Sequence, residues 1–275
     1  MYKAIMPGAI GVSLPIEECV VLAKANGFEG IYFDLRWAAG LGAEQALEVL
    51  DGLKPAAFGL PFNFREDTAE FTKHIEELEE LAEVAEAMGC KRCSTWVPSW
   101  NDEMDYEENF QWHRRRLQWI GNALYPHGIY FGLEFLGPKT LRTGHKYEFI
   151  HTMDQMLRLC REVMSKKLGL LLDSWHWYTS GGTLEDIRRL KKELVVDVHI
   201  NDAPAGIPID EQKDSVRALP GETGVIDLAG FLGALKGINY DGPVMAEPFS
   251  ERVRQMPPEQ AIAVTAQAID SVWPR

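Results

Sequence analysis

The stretch Leu168-Gly169-Leu170-Leu171-Leu172-Asp173-Ser174-Trp175-His176 is an apolar run that stops abruptly at a carboxylate, a hydroxyl and an imidazole. The run is too short for a buried helix. A strand with no polar face belongs in a parallel sheet covered on both sides. Helical patterns flank it, Met153–Met164 before and Leu184–Glu193 after. The same alternation continues in both directions. Downstream come strand Val195–Ile200, a long loop, helix Leu228–Leu235, strand Val244–Ala246 and helix Glu259–Val272. Upstream, strand Tyr130–Phe135 follows helix Tyr106–Leu124, and strand Arg92–Val97 follows the longest helix, Thr68–Met88. In that helix Phe71, Ile75, Leu78, Ala82, Ala85 and Met88 recur at helical spacing, with charged residues on the other face. Strand Ala57–Pro61 follows helix Ala43–Leu53, strand Gly30–Asp34 follows helix Leu14–Asn26, and Ala4–Met6 opens the series.

Eight strands and eight helices in strict alternation, within 275 residues, predict a single (β/α)8 TIM-barrel domain over residues 1–275. A doubly wound open sheet is the alternative. It would carry a glycine-rich phosphate turn after its first strand, where this chain reads Met6-Pro7-Gly8-Ala9.

Charge narrows the partners. The chain has 28 Lys and Arg against 41 Asp and Glu, a net charge of −13, which repels phosphate backbones and anionic membranes. No apolar run approaches a bilayer span, and the N-terminus shows no signal peptide. Four cysteines are sparse for this length, so a reducing cytoplasm is expected. Cys90-Lys-Arg-Cys93 lacks the second pair that a structural zinc site needs, and reads as two small buried thiols. A homo-oligomer is compatible with all of this, since closed two-fold assemblies are common.

In such a barrel, chemistry sits where strands end. The last four strands end in Glu134, Asp173, His199 and Glu247. Singly, each has an ordinary explanation: a solvated strand end, a helix cap, a core histidine. Four on consecutive strands point instead to one divalent metal ion. The oxygen-rich set favours Mn2+, Mg2+ or Co2+, and Zn2+ is allowed. His176 faces the same mouth as a substrate contact, or else is a surface histidine. Arg217, in the loop after the seventh strand, could clamp substrate oxygens or pair with Glu222. Trp37, Trp96, Trp100, Trp175 and Trp177 fall at or beyond strand ends, where aromatic faces would suit a sugar or cyclitol ring. Asn63 and Trp96 are further candidate substrate contacts, and Asp34, Arg36, Arg65 and Trp100 stand unranked beside them.

The motifs Gly132-Leu133-Glu134-Phe135-Leu136-Gly137, Gly169 to His176, Val198-His199-Ile200-Asn201-Asp202 and Arg217 to Asp227 resemble those of the xylose isomerase-like TIM-barrel superfamily, nearest its inosose isomerase-like branch. The likeness is specific over about residues 129–250 and architectural before them. It implies Glu134, Asp173, His199 and Glu247 as metal ligands. It further implies Glu134 and Glu247 as acid and base, with His176 and Arg217 on substrate oxygens. Two departures matter. Lys139 and Thr140 stand where ketose 3-epimerases carry a further glutamate. The third and fourth strand ends, Leu60-Pro61-Phe62-Asn63 and Ser94-Thr95-Trp96-Val97, lack the histidines of the three-metal DNA-repair relatives. The expected activity is isomerisation or epimerisation of an unphosphorylated keto-sugar or inosose through an enediolate. Dehydration of an inosose- or dehydroshikimate-like substrate is the alternative, and a non-catalytic sugar-binding barrel a third.

Overall fold

A computed structural model covers residues 1–274. Eight parallel strands close into a barrel: β1 Tyr2–Ile5, β2 Gly30–Tyr32, β3 Lys54–Gly59, β4 Arg92–Val97, β5 Tyr130–Phe135, β6 Leu168–Asp173, β7 Val195–Ile200 and β8 Pro243–Ala246. Each strand pairs with its neighbours in chain order, and β8 closes on β1 through Tyr2–Pro243 and Lys3–Val244. Short strands Trp100–Asn101 and Tyr147–Glu148 pair antiparallel, outside the barrel.

The apolar pattern divides in two. Ala4, Ala56, Ala57 and Met245 form one buried cluster with Tyr2, Met6 and Tyr32 against it. A far larger cluster includes Phe58, Phe110, Phe131, Leu172 and Ile262, with helix residues packed on the strands. Several helices begin where an acid or hydroxyl caps them, while those at Ile16, Ala43 and Pro258 start after Pro or Gly. Asp105 with Glu108, Thr152 with Gln155 and Thr183 with Asp186 make reciprocal capping boxes.

Element boundaries differ from expectation where local chemistry overrides hydropathy. The third strand starts at Lys54 rather than Ala57, because a charged, exposed residue opens it. Helix Leu184–Arg188 is shorter than expected, and a 3-10 turn at Lys192–Leu194 replaces its end. Four helices lie outside the expected set: the short turns Lys139–Arg142 and Glu251–Arg254, and the longer Leu35–Leu41 and Ser174–Thr179. The two longer ones start at or just past a strand end, capped by Asp34 or Asp173. His176 therefore sits on a helical turn rather than in an open loop.

One buried imidazole ties stability to pH. His113, 2% exposed, packs against Phe64, Trp112 and Phe149, and its Nδ1 donates to Asn109 O at 2.9 Å. Burial pulls its pKa down from 6.5 to about 4. The unfolded chain thus takes up this proton first as pH falls. The stabilisation is fully present above pH 6.5 and is lost between pH 6.5 and 4, by about 3 kcal/mol. Urea unfolding of wild type and His113→Leu should show wild type losing that much more stability than the variant across this range. A gap independent of pH would refute a neutral buried His113.

Candidate metal and substrate site

Strand register brings the four strand-end residues together. Asp173 lies beside His199 in the β6–β7 ladder, and His199 lies beside Met245 of β8. Just past β8, the Glu247 N–H donates to Ile200 O at 3.2 Å. On the other side, Glu134 of β5 lies beside Trp96 of β4. One ligand atom from each of Glu134, Asp173, His199 and Glu247 falls within 4.8 Å of all the others. Glu134, Asp173 and His199 are buried, and Glu247 is partly so.

This cluster fits a divalent cation on its own chemistry. Glu134 Oε1 and both ring nitrogens of His199 are buried without a hydrogen-bond partner. Burial, reinforced by Glu247 and Asp173, pushes the Glu134 carboxyl well above the usual range. Burial opposes charge on His199, yet Glu247, with Asp197 and Glu134 behind it, carries its pKa up to about 10. Hard oxygen donors plus one imidazole, short of positive charge, are what such an ion relieves.

Part of the charge balance comes from within the chain. Arg217, 5% exposed, donates from Nη1 to Asp173 Oδ2 at 2.9 Å and to Glu247 Oε2 at 3.1 Å. Its Nη2 donates to Asp214 Oδ1 at 2.8 Å. Its guanidinium carbon lies 4.5 Å from the Phe249 ring centroid, and Phe249 adopts a left-handed backbone with φ +37°. Glu222, the other partner considered for Arg217, instead accepts from Arg252 and from Leu219 N–H. The loop that carries Arg217 is fixed by Asp202. This buried carboxylate accepts backbone N–H groups of Ala203, Thr223, Gly224 and Ile226, and Asp202 bridges to Ala218.

His176 is 1% exposed, and the Gly137 N–H donates to its Nδ1 at 3.2 Å. On the other side of the ring, Arg217 Nη2 faces Nε2 at 3.4 Å, so each ring nitrogen meets a donor and the neutral ring accepts from only one of them. Nε2 lies 3.8 Å from Glu134 Oε1 and 3.7 Å from Asp214 Oδ1. Burial, then Arg217 and His199, hold the ring's pKa well below 6.5, which favours the uncharged ring. A side chain at Gly137 would meet His176 O at 2.3 Å, so this close approach requires glycine.

A cavity of about 670 Å³ opens above the cluster. Glu134, Glu247, His176, Arg217 and Asp214 line its floor. Trp96, Pro98, Trp100, Leu136, Leu141 and Phe249 give it apolar walls, with Trp96 44% exposed. Trp175 and Trp177 are buried in the core, and Trp37 packs partly buried against it. Asn63 is exposed and does not line this cavity; its Oδ1 accepts from Arg65 N–H at 3.2 Å. Asp197 was not among the expected site residues. It is fully buried two residues before His199, with its Oδ2 3.9 Å from His199 Nε2 and without a hydrogen bond. Strand period two, which puts residues 197 and 199 on one face, was the available signal.

Comparison with known proteins extends this picture. Inosose isomerase of Bacillus subtilis (strain 168) is 31% identical over 137 residues, 50% of this chain and 46% of that protein. The chain thus spans about half the length of this curated relative. A xylose isomerase domain protein from Alicyclobacillus acidocaldarius superposes with a TM-score of 0.90 at 26% identity, covering 99% of this chain and 98% of the other. The IOLI protein, solved with a zinc atom, superposes with a TM-score of 0.82 at 22% identity over 99% of this chain and 98% of its own. The family profile of the xylose isomerase-like TIM barrel matches residues 17–272, and the chain belongs to that family.

Proposed function

We propose that the protein is a metal-dependent isomerase or epimerase of unphosphorylated keto-sugars or inososes, acting by proton transfer beside a ketone. The observation that carries this reading is the pairing of Glu134 and Glu247. Both line the floor of one cavity, and each places an oxygen in the same cluster as Asp173 and His199. The inosose isomerase relative and the zinc in the IOLI protein support it.

Glu134, Asp173, His199 and Glu247 would hold the ion. Bound there, it would polarise the ketone and adjacent hydroxyl and lower the cost of negative charge on oxygen. One glutamate takes the proton from the C–H between them. The other returns a proton, either to the neighbouring carbon or to the opposite face of the same carbon. His176 lines the same cavity and would contact a substrate oxygen and hold its orientation. Arg217 fixes the Asp173 and Glu247 carboxylates through its two short bonds. The apolar wall of Trp96, Trp100, Leu136 and Phe249 keeps water from the carbanionic carbon.

Dehydration of a cyclic substrate uses the same proton abstraction but needs an acid to expel hydroxide. The 3-dehydroshikimate dehydratase of Pseudomonas putida, 30% identical over 135 residues, supports this second reading.

Glu134→Gln and Glu247→Gln should each lower kcat by about 10²- to 10⁴-fold, with metal still bound. Turnover of ketoses or inososes in deuterated water should place solvent deuterium in the product. Product free of deuterium would replace proton transfer by hydride shift, and an ultraviolet-absorbing enone would mean dehydration. Asp197→Asn addresses metal binding separately. A carboxylate that orients a ligating histidine is typically worth 10- to 100-fold in affinity, so chelator competition should show a loss of about that size. Unchanged affinity would leave Asp197 only a packing role.

A further inference from the structure

Glu247 and Phe249 line two cavities, not one. The second, of about 450 Å³, lies over the ends of β1 and β2. Beyond β1 the chain makes a 3-10 turn at Pro7–Ile10, ended by Gly11 in a left-handed backbone with φ +80°. That turn brings Pro7, Gly8 and Ala9 to the lobe, and helix Ile16–Ala25 adds Ile16 from its first position. Ile31 of β2 and Phe33 just after it complete an apolar wall. Among the described residues the charged groups lining this lobe are Asp34 and Glu247. Asp34 is already committed, since it caps helix Leu35–Leu41 and accepts from Arg36 N–H at 2.8 Å. The first cavity, by contrast, is lined by Arg65, Glu134, Asp214, Arg217 and Glu247 together with His176. The Phe249 ring, common to both, is held by two guanidinium groups, Arg217 at 4.5 Å and Arg254 at 5.3 Å.

Proton transfer beside a ketone makes no use of this lobe. Pockets of roughly 300–1,000 Å³ take drug-sized ligands, so the first cavity alone holds a sugar ring. The second offers few groups to a hydroxyl, and its apolar walls gain by shedding water onto an apolar guest. Its continuity with the first, through Glu247 at the reacting floor, makes that guest part of the same molecule. We infer that the lobe over β1 and β2 is a subsite for an apolar substituent of the substrate, such as an aryl group, so that the substrate is a neutral keto-sugar bearing an apolar group. The sugar ring would lie over Glu134 and Glu247, and the substituent would pass Glu247 into the lobe. This rests on the proton-transfer reading for the identity of the reacting end, but the subsite can be tested without turnover.

The test is equilibrium binding to the metal-replete protein. Phenyl β-D-glucopyranoside is compared by calorimetry with methyl β-D-glucopyranoside; both are neutral and differ only in the apolar group. The phenyl compound should bind at least about 10-fold more tightly, in keeping with burial of a ring against apolar walls. Gly8→Phe should abolish that preference by filling the lobe. The backbone at Gly8 is not left-handed and an added Cβ meets nothing within 4 Å, so the fold admits the new side chain. Ile16→Asp places a carboxylate in the first turn of its helix, where one is tolerated, and should also lower the preference. Equal affinity for the two glucosides, measurable or not, would overturn the subsite. So would a preference that survives Gly8→Phe, which would seat the phenyl ring on the Trp96 and Trp100 wall instead. Circular dichroism of each variant confirms that it is folded. A kinetic panel of inososes and of the two glucosides oxidised to ring ketones then reads the two ideas apart. Failure of every compound to exchange its α-hydrogen with deuterated water rejects the proton-transfer reading, whatever the binding result. Exchange by the methyl and phenyl ketones with equal kcat/KM rejects the apolar subsite and leaves proton transfer standing.

Discussion

Concentrated negative charge at the mouth of a closed barrel is the constraint on which the rest of the site depends. Glu134, Asp173 and Glu247 are brought within a few ångströms because parallel strands in register cannot place their ends elsewhere. Carboxylates so close and so buried would take up protons unless cations held them. The chain supplies one permanent cation of its own, besides the His199 ring that the carboxylates hold toward its charged form. Arg217 bonds to Asp173 and Glu247 but leaves Glu134 uncompensated, and Glu134 is the carboxyl pushed furthest up. The remaining deficit is what a metal ion held by these residues would relieve.

Much of this arrangement was legible in the sequence, because strand ends are marked by abrupt changes of polarity. The run from Leu168 to Asp173 could only be an inner strand, and its neighbours repeat the pattern. The observed barrel has eight strands, each close to its expected place. The four clustered residues all come from such transitions. What escaped were features that local pattern does not encode. Trp175 and Trp177 sit just past a strand end, yet Asp173 caps a helical turn there that rotates both indoles into the core. Arg217 has Glu222 close by in sequence, but it pairs instead with Asp214, three residues before it, and with Asp173 and Glu247 from distant strand ends. Asp197 was hidden in plain view: inside a run of valines it reads as an isolated polar residue, until period two sets it beneath His199.

The long segment after β7 shows how a loop acquires the precision of a strand. Asp202 gathers backbone N–H groups from both ends of the segment, which anchors it without regular secondary structure. Arg217 is one residue from the Asp202–Ala218 bridge. Its guanidinium is therefore positioned by the same buried carboxylate that orders the loop, and Phe249 closes over it from beyond β8. Disorder in this segment would remove the protein's own counter-charge and expose the acidic cluster to water at once.

The two sides of the barrel carry different duties. Strands β5 to β8 end in the charged residues that any proton transfer beside a ketone requires. The end of β4 and the segments after β3 and β4 contribute Trp96, Arg65, Pro98 and Trp100, whose side chains form no ion pair with the acidic cluster among the described residues. Changes in that wall alter which molecule fits above the floor without unbalancing the charges below. The separation also explains the uneven legibility of the chain. Charge chemistry constrains residue type at fixed positions and so leaves a mark in the sequence. A wall built from an arginine stacked on two aromatic rings is defined by geometry, and becomes readable only once Phe64, Arg65 and Trp96 are seen in contact.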